Sequence, residues 1–533
     1  MSSGKVRMQK LKKDIKACKR IVMYGAGCLA KILNAELAQS GIGVNYCVVS
    51  HKDSNVNAFE GIPLYAVDDR ISDMRKEEVI TLISVTEKYE KEIEEILLRN
   101  GIFRYLLISR YVRKTDSFRI YQNKSEQEYL DEIAEWYADA NHLPFYDLDE
   151  IKKQLKDIIQ KNSRRKDKAV FAVGNFSPRV IKMAGALHKK GFEVEILFYP
   201  GIWILDCFLD ALLHVADSCK MCESIEELMY GIMVSQAEIV HLFSSIEVSY
   251  VARILIQRKK LFSKLIFDQY DIGNGMYIET NELTKEMLDD ERYCLEHADG
   301  VCFRGYEQEY LLNEMNYKME GAAINFFDYC QDDEFDESKD CDNGALTLCY
   351  AGGIATEQEW PGASYACLLE FAGICEKSKC HLHVYPSHWD EQRFSEYIDL
   401  DRKSDYFHFH KPVSYRDLRQ ELKQYDYGIH IIKNNFLKRE KDGYYTRNKL
   451  IYAVTNHFYD YLEAGLPIIA AYPVKFAEYF EKKNVLLNWT LEEFDFEQLI
   501  CRRKELKQNA IQVKKQLSVG KQIEKLIGFY NML

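Results

Sequence analysis

Three times along the chain, a short apolar run ends in a glycine or Gly-Asn turn and is followed by a polar or helix-like segment. The runs are RIVMYGAG, which begins at Arg20, KAVFAVGN, which begins at Lys168, and LTLCYAGGI, which begins at Leu346. After each of them, further apolar runs alternate with amphipathic stretches, a pattern typical of parallel sheets with helices on both faces. The sequence therefore predicts an α/β fold made of three Rossmann-like units.

Changes in charge and in apolar patterning between these blocks predict the domain boundaries. The 533 residues are enough for about three domains. A charged stretch of helical period separates the first unit from the second, and the acidic segment DDEFDESKDCDNG separates the second from the third. We expect an N-terminal Rossmann-like domain over 1–112, a helical connector over 113–167, a second unit over 168–337 and a third over 338–533.

Composition narrows the class of function and the compartment. The formal net charge of -12 argues against a nucleic-acid-binding protein. The 15 cysteines are scattered, often inside apolar runs, which is typical of a reducing cytosol. The charged N-terminus lacks the apolar core of a signal peptide, and no apolar run is as long as a membrane span. We therefore expect a cytoplasmic protein. Segment 198–216 is either a buried helix or a surface helix that touches lipid, so peripheral membrane contact stays open.

The first unit carries a glycine turn of the G-x-G-x-x-A type. Gly25, Gly27 and Ala30 follow a strand and precede a helix, which is the context of a backbone cradle around a pyrophosphate. The acid that a dinucleotide site requires at the end of the second strand is replaced by Ser50 and His51. Two interpretations stay open: a nucleotide-like ligand in this domain, or a tight turn that needs glycine.

Polar residues follow or interrupt several strands of the second unit. Gly174 and Asn175 end its first strand, and His241, Asp271 and Arg304 accompany later strands. Because the carboxyl ends of parallel strands lie at one edge of a sheet, we expect a ligand crevice there. Gly174, Asn175 and Arg304 are predicted to line this crevice. For each residue, a capping or loop role is the alternative.

The third unit presents groups suited to a diphosphate. The backbone N–H groups of Gly352 and Gly353, directly after a strand, could face phosphate oxygens. Arg447 and Lys449 lie just upstream of the segment NHFYDYLEAGLPIIAAYP and would supply positive charge. These residues predict a site for a diphosphate.

Four histidines of the third unit alternate along two strands: His381 with His383, and His408 with His410. Histidines on one face of a strand can bind a metal. No carboxylate or cysteine stands beside them at ligand spacing, so we predict no metal site.

Residues 168–533 resemble a GT-B fold glycosyltransferase of the large retaining group called family 4, and the first unit resembles small Rossmann-like domains that precede some bacterial sugar-modifying proteins. The segments that carry the GT-B resemblance are YAGGI, SYRDLRQELKQYDYGIHII and NHFYDYLEAGLPIIAAYP. In the family, an acid in the last segment binds the donor ribose, and Asp460 stands at that position. Gly352 and Gly353 match the diphosphate-facing loop, and His241 matches a histidine near the reacting centre.

Four positions depart from the family pattern. Tyr452 stands where many members have a second acid, and Phe243 where a second histidine is common. Glu463 replaces a small residue and could compete with Asp460 for the ribose. His457 replaces a basic residue in the donor site. The phosphate clamp would then come from Arg447, Lys449 or Lys411.

The resemblance implies a hexosyltransferase-like enzyme, metal-independent and retaining. It would move a sugar from a nucleotide-sugar donor to a glycan or lipid-linked acceptor, as in bacterial surface polysaccharide biosynthesis, with no cofactor beyond the donor. His241 and Asp271 are the catalytic candidates. Tyr452 and Phe243 favour an alternative, a non-catalytic glycosyltransferase-like scaffold for a partner enzyme. A further alternative places a nucleotide- or CoA-dependent activity in the first unit.

Overall fold

The computed structural model divides the chain into two compact units. One comprises Met1–Gln160 with Glu223–Tyr230, and the other comprises Lys161–Cys222 with Gly231–Leu533. In the part of the chain that the structure describes, no helix is long and apolar enough to cross a membrane. The described residues are 15, 18–26, 30, 33–34, 37–38, 41–50, 52, 56–85, 87–108, 126–141, 147–161, 164–200, 211–212, 214–262, 264–279, 283–332, 345–355, 363, 366–438 and 446–533.

The first sheet has six strands in the order β3-β4-β2-β1-β5-β6, and all its pairs except β3 with β4 are parallel. Its central strands are apolar and buried along most of their length, as expected when helices cover both faces. Its strands are β1 Arg20–Tyr24, β2 Tyr46–Val49, β3 Ala58–Phe59, β4 Ile62–Ala66, β5 Val79–Ile83 and β6 Tyr105–Leu107. The described helices up to residue 161 are α1 Ile71–Met74, α2 Glu87–Arg99, α3 Glu126–Ala140 and α4 Leu148–Lys161.

The second sheet has seven parallel strands in the order β13-β12-β11-β10-β7-β8-β9. Its first strand, β7, lies inside the sheet, the next two follow on one side and the remaining four on the other, which is the Rossmann order. The strands are β7 Arg165–Val173, β8 Glu193–Phe198, β9 Ser218–Met221, β10 Ala237–Ser244, β11 Lys264–Gln269, β12 Gly300–Phe303 and β13 Ala322–Asn325. The helices are α5 Pro178–Lys189, α6 Ile225–Val234, α7 Ser249–Gln257, α8 Lys285–His297 and α9 Glu307–Asn313.

Strand β7 begins earlier than the apolar run predicts. Its first residues are charged, and Arg165 and Lys168 form ion pairs with Glu193 at the start of β8. Cross-strand charge pairs support strand structure without apolar side chains.

The third sheet repeats the Rossmann order with six parallel strands, β16-β15-β14-β17-β18-β19. Its strands are β14 Thr347–Gly352, β15 His381–Pro386, β16 Phe407–Phe409, β17 Tyr427–His430, β18 Ile468–Ala470 and β19 Leu486–Leu487. The helices are α10 Leu368–Lys377, α11 Ser395–Lys403, α12 Tyr415–Leu422, α13 Asn434–Leu437, α14 Arg447–Tyr452, α15 Asn456–Glu463, α16 Val474–Glu481, α17 Phe496–Gln516 and α18 Val519–Met532.

The second and third sheets belong to one compact unit, and the end of the chain ties them together. Cys330, which follows the second sheet, bonds to the backbone of Leu517 and Val519 between α17 and α18. Helix α18 then packs beside α5 of the second sheet. Two Rossmann sheets with a C-terminal helix returning to the first of them form the GT-B arrangement, so the predicted fold class is confirmed. The exact domain boundaries stay a prediction.

Candidate functional site

The loops at the carboxyl ends of β11 and β12 touch the elements that lead into α15. We call residues 164–332 the second-sheet half and residues 345–533 the third-sheet half. The Lys449 Nζ lies 2.7 Å from Asp271 Oδ1. The Arg304 guanidinium donates to Asn456 Oδ1 over 2.5 Å, and the Asn456 amide donates to the Tyr270 hydroxyl over 2.6 Å. The structure thus brings together three predicted residues, Asp271, Arg304 and Lys449, where the two halves meet.

The ion pair between Lys449 and Asp271 is asymmetric in exposure. Lys449 is buried on α14, and its ammonium group lies over the Tyr277 ring. Burial alone would lower the pKa of Lys449, but the Asp271 carboxylate more than offsets burial and holds this pKa well above its usual value. The side chain of Asp271 is 33% exposed. Asp271 therefore keeps an oxygen within reach of a ligand, whereas the Lys449 charge is already compensated.

Arg304 supplies a fixed, buried positive group where the two halves meet. It is buried, pairs with Asp328 at 2.7 Å and lies over the Tyr270 ring. Asp328 is shared with Arg179, whose guanidinium lies 3.1 Å away. Burial would raise the pKa of Asp328, but these two guanidinium groups lower it to about 2. Such a network, in which every charge is paired, holds Arg304 in place.

His241 lies deeper in this network. It is fully buried in β10, with Nε2 3.0 Å from Asp268 Oδ2 and Nδ1 2.8 Å from the Tyr530 hydroxyl of α18. Its ring stacks on Phe243, and burial lowers its pKa despite the Asp268 carboxylate. Both ring nitrogens are therefore engaged within the protein. The predicted catalytic role of His241 stays a prediction.

Gly352 and Gly353 differ in their surroundings. A Cβ on Gly352 would overlap the His457 ring, so glycine is required for the close approach of α15 to this loop. A Cβ on Gly353 would meet nothing within 4 Å among the described residues. The Tyr350 hydroxyl donates to the Gly353 carbonyl over 2.7 Å and fixes the loop. At the carboxyl end of β14, no described residue would therefore crowd a side chain on Gly353.

His457 is a neutral group at this position. Burial lowers its pKa to about 4, and its Nδ1 has no hydrogen-bond partner in the described part of the chain. Its ring stacks over Tyr350. At neutral pH, His457 therefore adds no positive charge beside Gly352.

Asp460 lies one turn further along α15. Its Oδ1 is buried and has no hydrogen-bond partner among the described residues. Burial raises the pKa of Asp460 to about 7, although the Lys182 ammonium opposes this rise. Glu463 on the next turn is engaged, since its Oε1 lies 2.5 Å from Lys182 Nζ and accepts from the Gln331 N–H over 3.0 Å. Each of the two acids considered for a ribose thus has one buried oxygen without a hydrogen-bond partner among the described residues, Oδ1 of Asp460 and Oε2 of Glu463.

The other two candidate cations are exposed. Lys411 follows β16 and lies over the indole of Trp389, which follows β15, with Nζ 5.5 Å from the ring centroid. Arg447 is exposed at the start of α14. Both differ from Lys449 in that solvent reaches the charged residue.

Gly174 and Gly25 both lie at close packing contacts, and their predicted ligand roles stay predictions. A Cβ on Gly174 would overlap the Tyr199 ring, and the N–H groups of Gly174 and Asn175 both donate to the Phe243 carbonyl. Gly25 has a positive φ of 117° and lies against Val85 and Ser84 at the end of β5. Gly27 lies outside the described residues, so the ligand interpretation of this turn stays a prediction. Most of segment 198–216, from Gly201 to Asp210 with Leu213, also lies outside them.

Among the described residues, one group of three side chains could place metal ligands together: His241, Asp268 and Cys302. The Arg179 guanidinium contacts both Asp268 and Cys302, so a cation already occupies this position. The strand histidines form two hydrogen-bonded pairs instead, His381 with His408 at 2.9 Å and His383 with His410 at 3.0 Å.

Three residues at or behind the crevice were missed by sequence reasoning: Lys182, Asn456 and Glu307. Lys182 and Asn456 acquire their partners only through the packing of the two halves. Glu307 had a readable signal, because it follows the strand end FRGY, where polar residues of a parallel sheet gather.

No family model and no curated protein matches the sequence. Among solved structures, the glycosyltransferase SnogD from Streptomyces nogalater is 11% identical over 68% of this chain and 99% of its own, with a TM-score of 0.38. A UDP-glucosyltransferase from Polygonum tinctorium is 9% identical over 68% and 98%, with a TM-score of 0.42. A UDP-GlcNAc 2-epimerase from Neisseria meningitidis is 10% identical over 69% and 100%, with a TM-score of 0.41. The two sheet orders and the returning helix α18 define a GT-B fold protein with an additional Rossmann-like sheet before it.

Proposed function

We propose that this protein transfers a glycosyl group from a nucleoside diphosphate sugar to a hydroxyl group of a glycan or lipid-linked acceptor. One observation carries the proposal: the carboxyl ends of two Rossmann sheets meet at the Asp271–Lys449 pair, between halves that both offer polar groups. Open sheets of this type bind ligands at that edge. The acceptor class and a role in bacterial surface polysaccharide assembly follow the family resemblance.

The third-sheet half suits the leaving diphosphate. When the bond between the sugar C1 and the phosphate oxygen breaks, the electron pair stays on the diphosphate and adds negative charge there. The open backbone at Gly353, the first turn of α15 and the exposed cations Arg447 and Lys411 can stabilise this charge. Since His457 is neutral, the clamp depends on these N–H groups and cations. A reaction of this kind needs no cofactor beyond the donor, and we propose that it is metal-independent.

The second-sheet half suits the acceptor. In the proposed reaction, the oxygen of the acceptor hydroxyl forms the new bond to C1 with retention of configuration. A basic group accepts the proton of that hydroxyl. Asp271 is the partly exposed carboxylate at this position, and we assign it the role of this base. An Arg304 guanidinium nitrogen lies 3.7 Å from its Oδ1. We assign the ribose to Asp460 on the family resemblance, and a ribose hydroxyl would satisfy its buried Oδ1, which has no hydrogen-bond partner among the described residues.

Ligand-stabilised melting of the full chain tests the proposal. We expect one family of nucleotide sugars among UDP-, GDP-, ADP- and CMP-sugars to raise the melting temperature, with slow donor hydrolysis. Asp460→Ala should weaken nucleotide binding and leave the fold intact. If no nucleotide sugar shifts the melting temperature and none is hydrolysed, the proposal is wrong.

A second candidate function, a non-catalytic scaffold, is favoured by one specific observation. The buried cations Lys182, Arg304 and Lys449 are each already paired with an acid of the protein. In a scaffold, these ion pairs would only stabilise the folded protein, and the protein would not bind nucleotide. The same melting experiment separates the two functions.

A further inference from the structure

Glu307 is a buried acid that the proposed mechanism does not use. It begins α9, three residues after Arg304 at the carboxyl end of β12, and it is 3% exposed. Its Oε2 has no hydrogen-bond partner in the described part of the chain. A buried polar oxygen without a partner costs free energy, which a ligand group that supplies the missing hydrogen bond would recover.

The free oxygen lies at the seam between the two halves. A Cβ on Gly305 would lie 3.1 Å from Glu307 Oε2 and would overlap Val454, which precedes α15. The charged groups that act on Glu307 are Lys449 and Arg304, which favour its anion, and Asp271, which opposes it. Glu307 therefore lies within electrostatic range of the same three residues that form the candidate site.

The carboxyl groups of Glu307 and Asp271 determine which part of a nucleotide sugar can bind next to Glu307. A phosphate group next to Glu307 would meet both its carboxyl group and that of Asp271, so like charges would oppose binding. A hydroxyl group carries no charge and can donate to a carboxylate or accept from a carboxylic acid. The sugar, rather than the diphosphate, is the part of a nucleotide sugar that fits.

We propose that Glu307 is a ligand-contacting residue whose free carboxyl oxygen exchanges a hydrogen bond with a hydroxyl of the donor's glycosyl group. The inference rests on the proposed function and adds a specificity-determining contact to it. Burial raises the pKa of Glu307 to about 7, against the effect of Lys449 and Arg304. The contact therefore changes from donor to acceptor near neutral pH, and sugar affinity should depend on pH there.

The test compares two probes on the full chain, a nucleotide sugar from the melting screen and the matching nucleoside diphosphate. We expect Glu307→Gln to keep the affinity for the diphosphate within about twofold and to flatten the pH dependence of nucleotide-sugar affinity between pH 6 and 8. Glu307→Ala should lower nucleotide-sugar affinity by about tenfold, the effect of one lost hydrogen bond. Glu309→Gln is the matched control, because Glu309 lies on the same helix and pairs with Lys475 at the surface.

Each outcome decides the inference. If Glu307→Ala binds both probes like the wild type, or loses both equally, Glu307 is a structural residue and the inference is wrong. If Glu307→Ala does not fold, Glu307→Gln alone decides, because an unchanged pH profile overturns the inference. If the wild type binds neither probe, the proposed function fails and the inference fails with it, which differs visibly from a Glu307-specific negative result.

Discussion

Lys182 and Glu463 form a buried ion pair that joins the two halves of the GT-B unit, with 2.5 Å between Nζ and Oε1. Lys182 is 3% exposed on α5, and Glu463 is 1% exposed at the end of α15. Lys182 also donates to the Tyr329 carbonyl over 3.1 Å. The pair sits directly beside Asp460, so it fixes the charge environment of the proposed ribose acid.

Removing one partner of this pair should destabilise the GT-B unit strongly. Lys182→Met leaves the Glu463 carboxylate buried without its ammonium partner; the Gln331 N–H at Oε1 and the Arg419 guanidinium, 3.8 Å from Oε2, remain. We expect a loss of about 3–5 kcal/mol in the free energy of unfolding, measured by urea denaturation.

The double variant Lys182→Met/Glu463→Leu should recover most of that loss, because no uncompensated charge remains. Lys190→Ala is the surface control. It breaks an exposed pair with Glu524, which should contribute less than about 1 kcal/mol. Equal losses for Lys182→Met and Lys190→Ala would contradict the assignment of a buried pair.

The two glycines of the β14 loop should respond differently to a methyl group. Gly352→Ala forces the His457 ring away and should lower stability by roughly 1–3 kcal/mol. Gly353→Ala meets no described neighbour, so its melting temperature should match the wild type. If the Gly353 backbone faces the diphosphate, Gly353→Ala should nevertheless bind nucleoside diphosphate more weakly. Unchanged binding by calorimetry would place the phosphates elsewhere.

Much of the fold is readable from local patterns. The three apolar runs ending in turns are β1, β7 and β14, each inside its own parallel sheet. The segment NHFYDYLE is α15, Phe458 and Tyr461 are fully buried, and Gly465 has the positive φ of a helix exit. These features depend on residues that are neighbours in sequence, which is why periodicity and turn chemistry predict them.

The partners across the crevice could not be read in the same way. On α5, the apolar spacing of Val180, Met183 and Leu187 assigns Lys182 to a polar face. The structure buries Lys182 nevertheless, since the third-sheet half supplies the Glu463 carboxylate to that face. Lys182 and Glu463 are 281 positions apart in the chain, and Lys449 and Asp271 are 178 apart, so the pattern of one helix carries no information about these pairings.

Asp460→Asn should change how stability depends on pH. The folded state raises the pKa of Asp460 from 3.8 to about 7, so it holds the proton more tightly than the unfolded chain does. The contribution of Asp460 to the free energy of unfolding is therefore fully favourable below about pH 4 and is lost as the pH rises through about 7. Between pH 4 and pH 8, the free energy of unfolding of the Asn variant, measured by urea denaturation, should rise by roughly 1–3 kcal/mol relative to that of the wild type. A constant difference between the two proteins across this range would contradict the raised pKa.

His383→Phe should reduce the sensitivity of the third sheet to acid. Burial, together with His408, His410 and His381, lowers the pKa of His383 to about 3. An unfolded histidine takes its proton near pH 6.5, so this contribution to stability is complete above pH 6.5 and is lost as the pH falls toward 3. Phenylalanine keeps the stacking on the His408 ring, 4.2 Å away between centroids, and cannot titrate. Between pH 7 and pH 5, the free energy of unfolding, measured by urea denaturation, should therefore fall by up to roughly 2 kcal/mol more for the wild type than for the variant. His214 is exposed, so His214→Gln should show the same pH dependence of stability as the wild type.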